Sequence, residues 1–529
     1  MSPSTTITTS IKNRRSSNGK AERLLFRRQF IMGRRFVDGM PSWQRVTVDD
    51  ERCLTVHPDL PVCQERSGGK GVTLLGYLID PGRPSATDAD ILRGLLSVLC
   101  NGGACDTLRQ RTAAYGGRWI LIVSDGAAVQ LFTDPAGFRQ VFYTDVRWTD
   151  ELWCASQPGL IADILGLQAD REAMDFIVSF EKRDCQFWWP GDSSPYREVR
   201  HLLPNHALDL STGSAERYWP DGPLPAVSFA AAVERLPSML KGLMGGAFSR
   251  FDPALSMTAG RDTRLVLAAS RAFRDRLFCF SMKYWDMTEE SPDITIPSRL
   301  LSRMGIGHTV IPCPSSMDRQ FERLYNKNVA TAREVYGVIA QGLDRHYPKD
   351  RVCVKGNAVG IAKCFYKYAL PEAERTREVT PGLLARLANM GDHPFAIRHL
   401  DRWLSGADLL YNVEVLDLFK WENREGNWQA MSQLEWDIVQ EVFVPFNCRD
   451  LLVTMLSVDE QYRRPPSYAL NQALIASLWP ELLDDPINPR GIKSRSGCLK
   501  DTMKSAVERV RVKAGECQWW KRLPDIQER

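Results

Sequence analysis

The chain has 529 residues, enough for two to four domains that each bury a core. A charged fraction of 25% with a formal net charge of +4 gives no electrostatic case for specific nucleic acid or for an anionic membrane, and no apolar run reaches the ~20 residues that span a bilayer. Thirteen cysteines, odd in number and without a CxxC pair, argue against a zinc site or a closed disulfide framework, so reduced thiols in a cytoplasmic compartment are expected.

The opening MSPSTTITTSIKNRRSSNGKAERLLFRRQF is basic, rich in Ser and Thr and almost free of acids. Such a composition does not bury a core, and residues 1–45 are expected to be a disordered basic tail. From Gly71 the chain reads VTLLGYLID, then a helical DADILRGLLSVL, then WILIV and VQLF separated by Asp125-Gly126, which is a hairpin signal in antiparallel sheet. REVRHLLPNHALDLSTGSAERYWP adds short strands broken at Pro204-Asn205 and Ser211-Thr212-Gly213. The Pro-bearing DGPLPAVS then marks a domain boundary, giving a first domain over 46–222 and a second over 223–529. Beyond it FAAAVERLPSMLKGLMGGAF has helical spacing, and ALSM, RLVLAASRAF, LFCFSM, IPSRLLSRMG and HTVIPC alternate strand with helix. That alternation predicts a parallel α/β sheet covered by helices. From Pro381 the chain reads mostly helical. Trp421, Trp428 and Trp436, interleaved with Arg424, Glu435 and Asp437, read either as packed core or as an acceptor pocket.

Within the first βα unit of the second domain stands FDPALSMTAGRDTRLVLAASRAF. A strand feeding a helix presents free N–H groups and the positive end of a dipole at the carboxyl edge of the sheet. Ala259 and Gly260 let a phosphate approach the backbone, Thr258 and Thr263 offer hydroxyls, and Arg264 offers a guanidinium. Asp262 fits a magnesium ligand or an acceptor for loop amides. The segment is not a Walker loop, since Gly-Lys-Ser/Thr is absent, and an ordinary capped turn is the competing reading.

Thr258-Ala259-Gly260-Arg261-Asp262-Thr263-Arg264 resembles the pyrophosphate loop of N-type ATP pyrophosphatases, in the variant of asparagine-synthetase-like proteins. GGRWILIVSDGAAVQLFTDPAGFRQVFYTD resembles the second half of a class II glutamine amidotransferase domain, and QEVFVPFNCRDLL resembles the family's E-x-R-x-P-F segment at Glu441, Pro445 and Phe446. The resemblance implies an N-terminal Ntn-hydrolase-like α+β domain followed by a PP-loop synthetase domain with a helical C-terminal part. It also implies ATP and magnesium as cofactors, adenylation of a small-molecule or peptide carboxylate, release of pyrophosphate and attack by an amine donor. On that resemblance Thr258 to Arg264 take pyrophosphate, Asp262 the metal, the backbone at Ser281 and Met282 the adenine, and Gly356 opens a second glycine-rich segment. Glu441 takes the place of an acid that assists amine deprotonation, with a solvated helix-end carboxylate as the competing reading. Lasso-peptide cyclases and β-lactam synthetases are relatives of this kind, which leaves room for a homodimer or a biosynthetic partner protein.

Three positions depart from the pattern. Met1 is followed by Ser2, and the first cysteine, Cys53, is not a processed N-terminal nucleophile, so glutaminase activity is not expected. Gly360 and Ile361 stand where the second segment carries acids, and Phe443 stands where the E-x-R-x-P-F pattern has arginine. These losses keep a second reading open, a catalytically inactive nucleotide-binding or scaffolding protein of the same fold. Lys493 and Lys500 are the lysines for which no local pattern selects a catalytic role.

Overall fold

The computed structural model describes residues 23–489 apart from Pro41. Twelve of its strands are antiparallel: β1 (Phe30–Gly33), β2 (Gln44–Thr47), β3 (Cys53–Val56), β4 (Val62–Ser67), β5 (Lys70–Ile79), β6 (Gly116–Ser124), β7 (Val129–Thr133), β8 (Phe142–Thr144), β9 (Cys154–Ala155), β10 (Val199–His201), β11 (His206–Asp209) and β12 (Ala215–Arg217). They form two six-stranded sheets, in the orders β10-β8-β9-β1-β3-β2 and β12-β11-β7-β6-β5-β4.

The alternation along β6 explains how these sheets pack. Ile120 and Ile122 point into a shared core with Phe30, Met32, Leu54 and Val56 of the other sheet, while Trp119, Leu121 and Val123 point outward. Because both faces are covered, the run reads as continuously apolar rather than alternating. The outward face of β6 receives helix α1 (Asp88–Cys100), whose Ile91, Leu92, Leu95 and Leu99 lie on one stripe. Thr87 and Asp90 close a capping box at its start. On the far side of the first sheet, Leu160 and Ile161 of α2 (Pro158–Leu165) cover Ile31 and Phe142. The layers run helix, sheet, sheet, helix.

The described residues begin inside the expected tail, and its later part is folded. Phe30–Gly33 is β1, hydrogen-bonded in mid-sheet between β3 and β9, because FIMG supplies apolar residues for both faces. Residues 1–22 lie outside the described residues, as does the basic C-terminal stretch with Lys493 and Lys500. The predicted hairpin forms between β6 and β7, with Asp125 accepting from the amides of Ala127 (3.0 Å) and Ala128 (2.9 Å).

Past the Pro-bearing boundary, Ser228 caps the long helix α3 (Phe229–Arg250). A five-stranded parallel sheet follows, of β13 (Pro253–Ser256), β14 (Phe278–Lys283), β15 (His308–Pro312), β16 (Val352–Val354) and β17 (Val442–Phe443). Its order is β15-β14-β13-β16-β17, so the first strand is central and the chain winds out to one edge before crossing to the other. Helix α4 (Arg261–Ala269) joins β13 to β14, α5 (Pro292–Arg303) joins β14 to β15, and α6 (Ala469–Leu478) packs against α3 and α4. The tryptophan-rich segment is core. Trp421 is fully buried, Glu435 forms a fully buried pair with Arg333 (2.6 Å), and Lys420–Gln429 is a π-helical stretch. No helix among the described residues is long and apolar enough to cross a membrane.

Candidate functional site

A doubly wound sheet opens a crevice where consecutive connections leave in opposite directions, at the carboxyl ends of its strands. Here that point lies between β13 and β16, and the turn Met257–Gly260 with the start of α4 forms one wall. The turn is held from within. Thr258 Oγ1 accepts from the Gly260 amide (3.1 Å) and lies 3.2 Å from Thr263 Oγ1. The Ala259 amide donates to Asp293 Oδ1 (2.8 Å), a carboxylate in the first turn of α5. Asp293 was not legible as part of the loop, although Ser-Pro-Asp is a readable helix start. No side chain caps α4 at Gly260, and the amides of Arg261, Asp262 and Thr263 begin the helix, where no intrahelical acceptor exists.

Gly356, just past β16, forms the opposite wall. A Cβ placed there would sit 2.7 Å from the Asp262 carbonyl carbon and 2.9 Å from the Thr263 amide nitrogen, so only glycine lets the two walls meet. The following turn holds Ala358 and Cys364 at φ of 66° and 51°, a left-handed backbone unusual for side-chain-bearing residues.

The other expected site residues divide. Ser281 and Met282 lie in β14 beside the crevice, but the Ser281 hydroxyl is engaged with the Met257 carbonyl (2.9 Å) and with His308 Nε2 (2.9 Å). Arg264 is turned away from the loop. It is fully buried and its guanidinium donates to the carbonyls of Leu482 (2.9 Å), Asp485 (2.6 Å) and Pro486 (2.9 Å). Burial pulls its pKa down to about 10. It anchors the end of the described chain to α4 and is not available to phosphate.

Glu441 is also misplaced for chemistry in the crevice. It precedes β17 and its carbonyl accepts from the Cys353 amide, which sets it at the amino edge of the sheet, opposite the loop. Burial would raise its pKa, but Arg139 (3.1 Å), Arg118 (3.1 Å) and Arg28 (3.5 Å) outweigh that and hold it at about 2. A carboxylate committed to three guanidinium groups is a poor base; it ties the sandwich to the parallel sheet. Asp437 joins the cluster by accepting from Arg118 (2.7 Å). Asn447 adds a second tie, donating to the Gly117 carbonyl (2.9 Å) and Asp134 (2.8 Å) while accepting from the Ala136 amide (2.8 Å).

Charge in the crevice itself comes from elsewhere. Asp262, whose side chain is 37% exposed, pairs with Lys363. Lys420, brought in by the π-helical stretch, pairs with Glu425; both are buried, and burial lowers the Lys420 pKa. Lys420 Nζ lies 3.6 Å from where a Gly360 Cβ would be, so a lysine occupies the space beside the position where an acid was expected. The other buried oxygen of Glu425 and the Nε of Arg261 have no hydrogen-bond partner. The Arg261 guanidinium lies over Tyr468 (4.6 Å). Neither lysine is legible in the sequence as a site residue: Lys363 meets Asp262 from 101 positions away, and Lys420 reaches Gly360 only through the fold.

The donor set is a poor fit for magnesium. The expected ligand Asp262 is paired with an ammonium, and among the described residues no three His, Cys, Asp or Glu side chains converge where they could hold a metal ion, so a magnesium ion would depend on the phosphate oxygens it came with.

No family model matches the chain, and no curated protein matches it. Among solved structures it is similar to the allosteric regulatory enzyme of purine biosynthesis, with a TM-score of 0.24 at 10% identity over 59% of this chain and 75% of that one. It is likewise similar to a glutamine phosphoribosylpyrophosphate amidotransferase from B. subtilis complexed with ADP and GMP, with a TM-score of 0.22 at 11% identity over 71% of this chain and 75% of that one. Both are distant likenesses.

Proposed function

We propose that the chain is an ATP-dependent ligase of the asparagine-synthetase-like kind, which adenylates a carboxylate, releases pyrophosphate and joins an amine in an amide bond. The observation that carries this reading is the position of Thr258–Thr263. The loop closes the central strand of the parallel sheet at the point where the winding reverses, and it faces a wall that only glycine permits. A polyphosphate suits what lines that crevice: the start of α4, the hydroxyls of Thr258 and Thr263, and the cations Arg261, Lys363 and Lys420. The backbone of β14 at Ser281 and Met282 is the proposed adenine edge.

The preceding sandwich is read as a degenerate glutamine amidotransferase-like domain of the Ntn-hydrolase type. Phe30, not cysteine, begins the mid-sheet strand β1, so the amine arrives from outside. The proposed first domain therefore begins before β1 rather than at residue 46, with the second from residue 223. A second reading, nucleotide binding without catalysis, is favoured by one feature: the crevice carboxylates are all engaged, Asp262 and Glu425 with lysines and Asp293 with the Ala259 amide, which leaves no acid poised as a base.

Calorimetry of ATP on the full chain, followed by ATP–pyrophosphate exchange with a panel of amino-acid and peptide carboxylates, separates the two. The ligase returns labelled pyrophosphate to ATP, and Asp262→Ala, which takes away the carboxylate that positions Lys363 at the loop, abolishes the exchange with little change in the thermal melt. Binding without exchange across the panel favours the second reading, and no binding of ATP overturns both.

A further inference from the structure

Three cations, Arg261, Lys363 and Lys420, face two carboxylates, Asp262 and Glu425, around the start of α4. Asp293, which accepts from the Ala259 amide, makes a third carboxylate, so it is the helix start, with its own partial charge of roughly half a unit, that tips the balance to positive. Nε of Arg261 is a buried donor with no acceptor, which an anion would supply, and Glu425, although one of its oxygens is unpartnered, is held by Lys420 through the other. The two lysines stand where metal and metal ligand would otherwise be needed: Lys363 on the exposed carboxylate of Asp262, and Lys420 against the Cβ-less face of Gly360. A divalent ion entering here would have to compete with the Lys363 ammonium for Asp262, against the repulsion of the Lys420 ammonium, whose charge and that of Lys363 act on each other.

We infer that this crevice binds the pyrophosphate moiety without a divalent cation, the ammonium groups of Lys363 and Lys420 serving as built-in counter-charges in place of magnesium. The inference rests on the phosphate-loop reading above and deepens it. Lysine is a compact point charge on a flexible stem, so Lys363 can leave Asp262 and turn to a phosphoryl oxygen without breaking the fold. Lys420, buried and braced by Glu425, is the fixed member of the pair. Gly360 keeps the space for it, since a side chain there would start 3.3 Å from Lys420 Cε.

The test is calorimetry of inorganic pyrophosphate on the full chain, once in EDTA and once in excess magnesium. The expected result is an affinity in EDTA equal to or greater than that in magnesium. Lys363→Met should weaken the metal-free complex by about tenfold or more, the scale of one lost charge-assisted contact. Lys363→Arg, which keeps the charge, should retain binding in EDTA. Binding that requires magnesium overturns the inference and leaves the phosphate-loop reading standing; absence of binding in both conditions overturns that reading too. Metal-free binding unchanged in Lys363→Met removes the lysine from its assigned role. Should that variant fold poorly, the wild-type comparison of EDTA with magnesium decides alone.

Discussion

Glu441 illustrates how little a side chain's identity says about its task until its neighbours are placed. Its spacing from Pro445 and Phe446 was readable, but the three arginines that surround it come from positions 28, 118 and 139, and nothing local announces them. Removing its charge leaves those guanidinium groups facing one another in a buried site. Glu441→Gln is therefore expected to cost roughly 3–5 kcal/mol of stability, read from the shift in urea midpoint, with pyrophosphate affinity in the folded protein unchanged. A loss of ligand affinity without a loss of stability would return Glu441 to the crevice. Arg264 carries the same lesson. It follows the loop closely in sequence, yet as the fourth residue of α4 it faces the carbonyls of Leu482, Asp485 and Pro486, a surface that only the distant end of the chain supplies.

Among elements, the strand–turn–helix around β13 was the most legible, because four buried strand residues, Pro253 to Ser256, and a glycine before the helix are local signals. Its opposite wall was half legible: Gly356 could be picked out, but the reason for it is the approach of Asp262 and Thr263, nearly a hundred positions earlier. Gly356→Ala forces those walls apart. It is expected to cost about 1–3 kcal/mol of stability, as overpacking does, and to weaken pyrophosphate binding more than any substitution on the outer face of α4. A circular dichroism melt and a titration on the same sample would check both, and an unperturbed affinity would mean the crevice is not the binding site. One element escaped prediction: β1 is four residues long inside a basic stretch, too short for its period to register. Lys420–Gln429 was half legible: packed core is one of the two readings its tryptophans allow, but the burial of its polar residues is not local information, since Arg217, Asn205 and Gly191 from the sandwich meet Glu422 and Asn423 there.

At the scale of the whole molecule, the sandwich and the parallel sheet share buried titratable groups that respond to acid. Burial depresses the pKa of His57 and of His201 from 6.5 to about 4, so each is neutral in the fold. Below 6.5 the unfolded chain takes up protons that the folded chain refuses, and the corresponding stability, full above 6.5, drains away as the pH falls toward 4. Glu441, held at about 2 against an ordinary 4.5, adds a second loss below 4.5. The urea midpoint should fall steadily between about pH 7 and about pH 4; a flat profile would mean these rings are hydrated. The Asn447 carboxamide has a mechanical consequence as well. It bonds at once to Gly117, Asp134 and Ala136, and beside it Trp421 donates to the Pro135 carbonyl (2.7 Å). A hinge that swung one half away from the other would break this cluster together with the arginine clasp on Glu441. With the two halves clasped in this way, the part of the crevice left to vary is its carboxyl rim, where the connectors expose Trp285 and Phe365, and any ligand of the proposed site would enter past them.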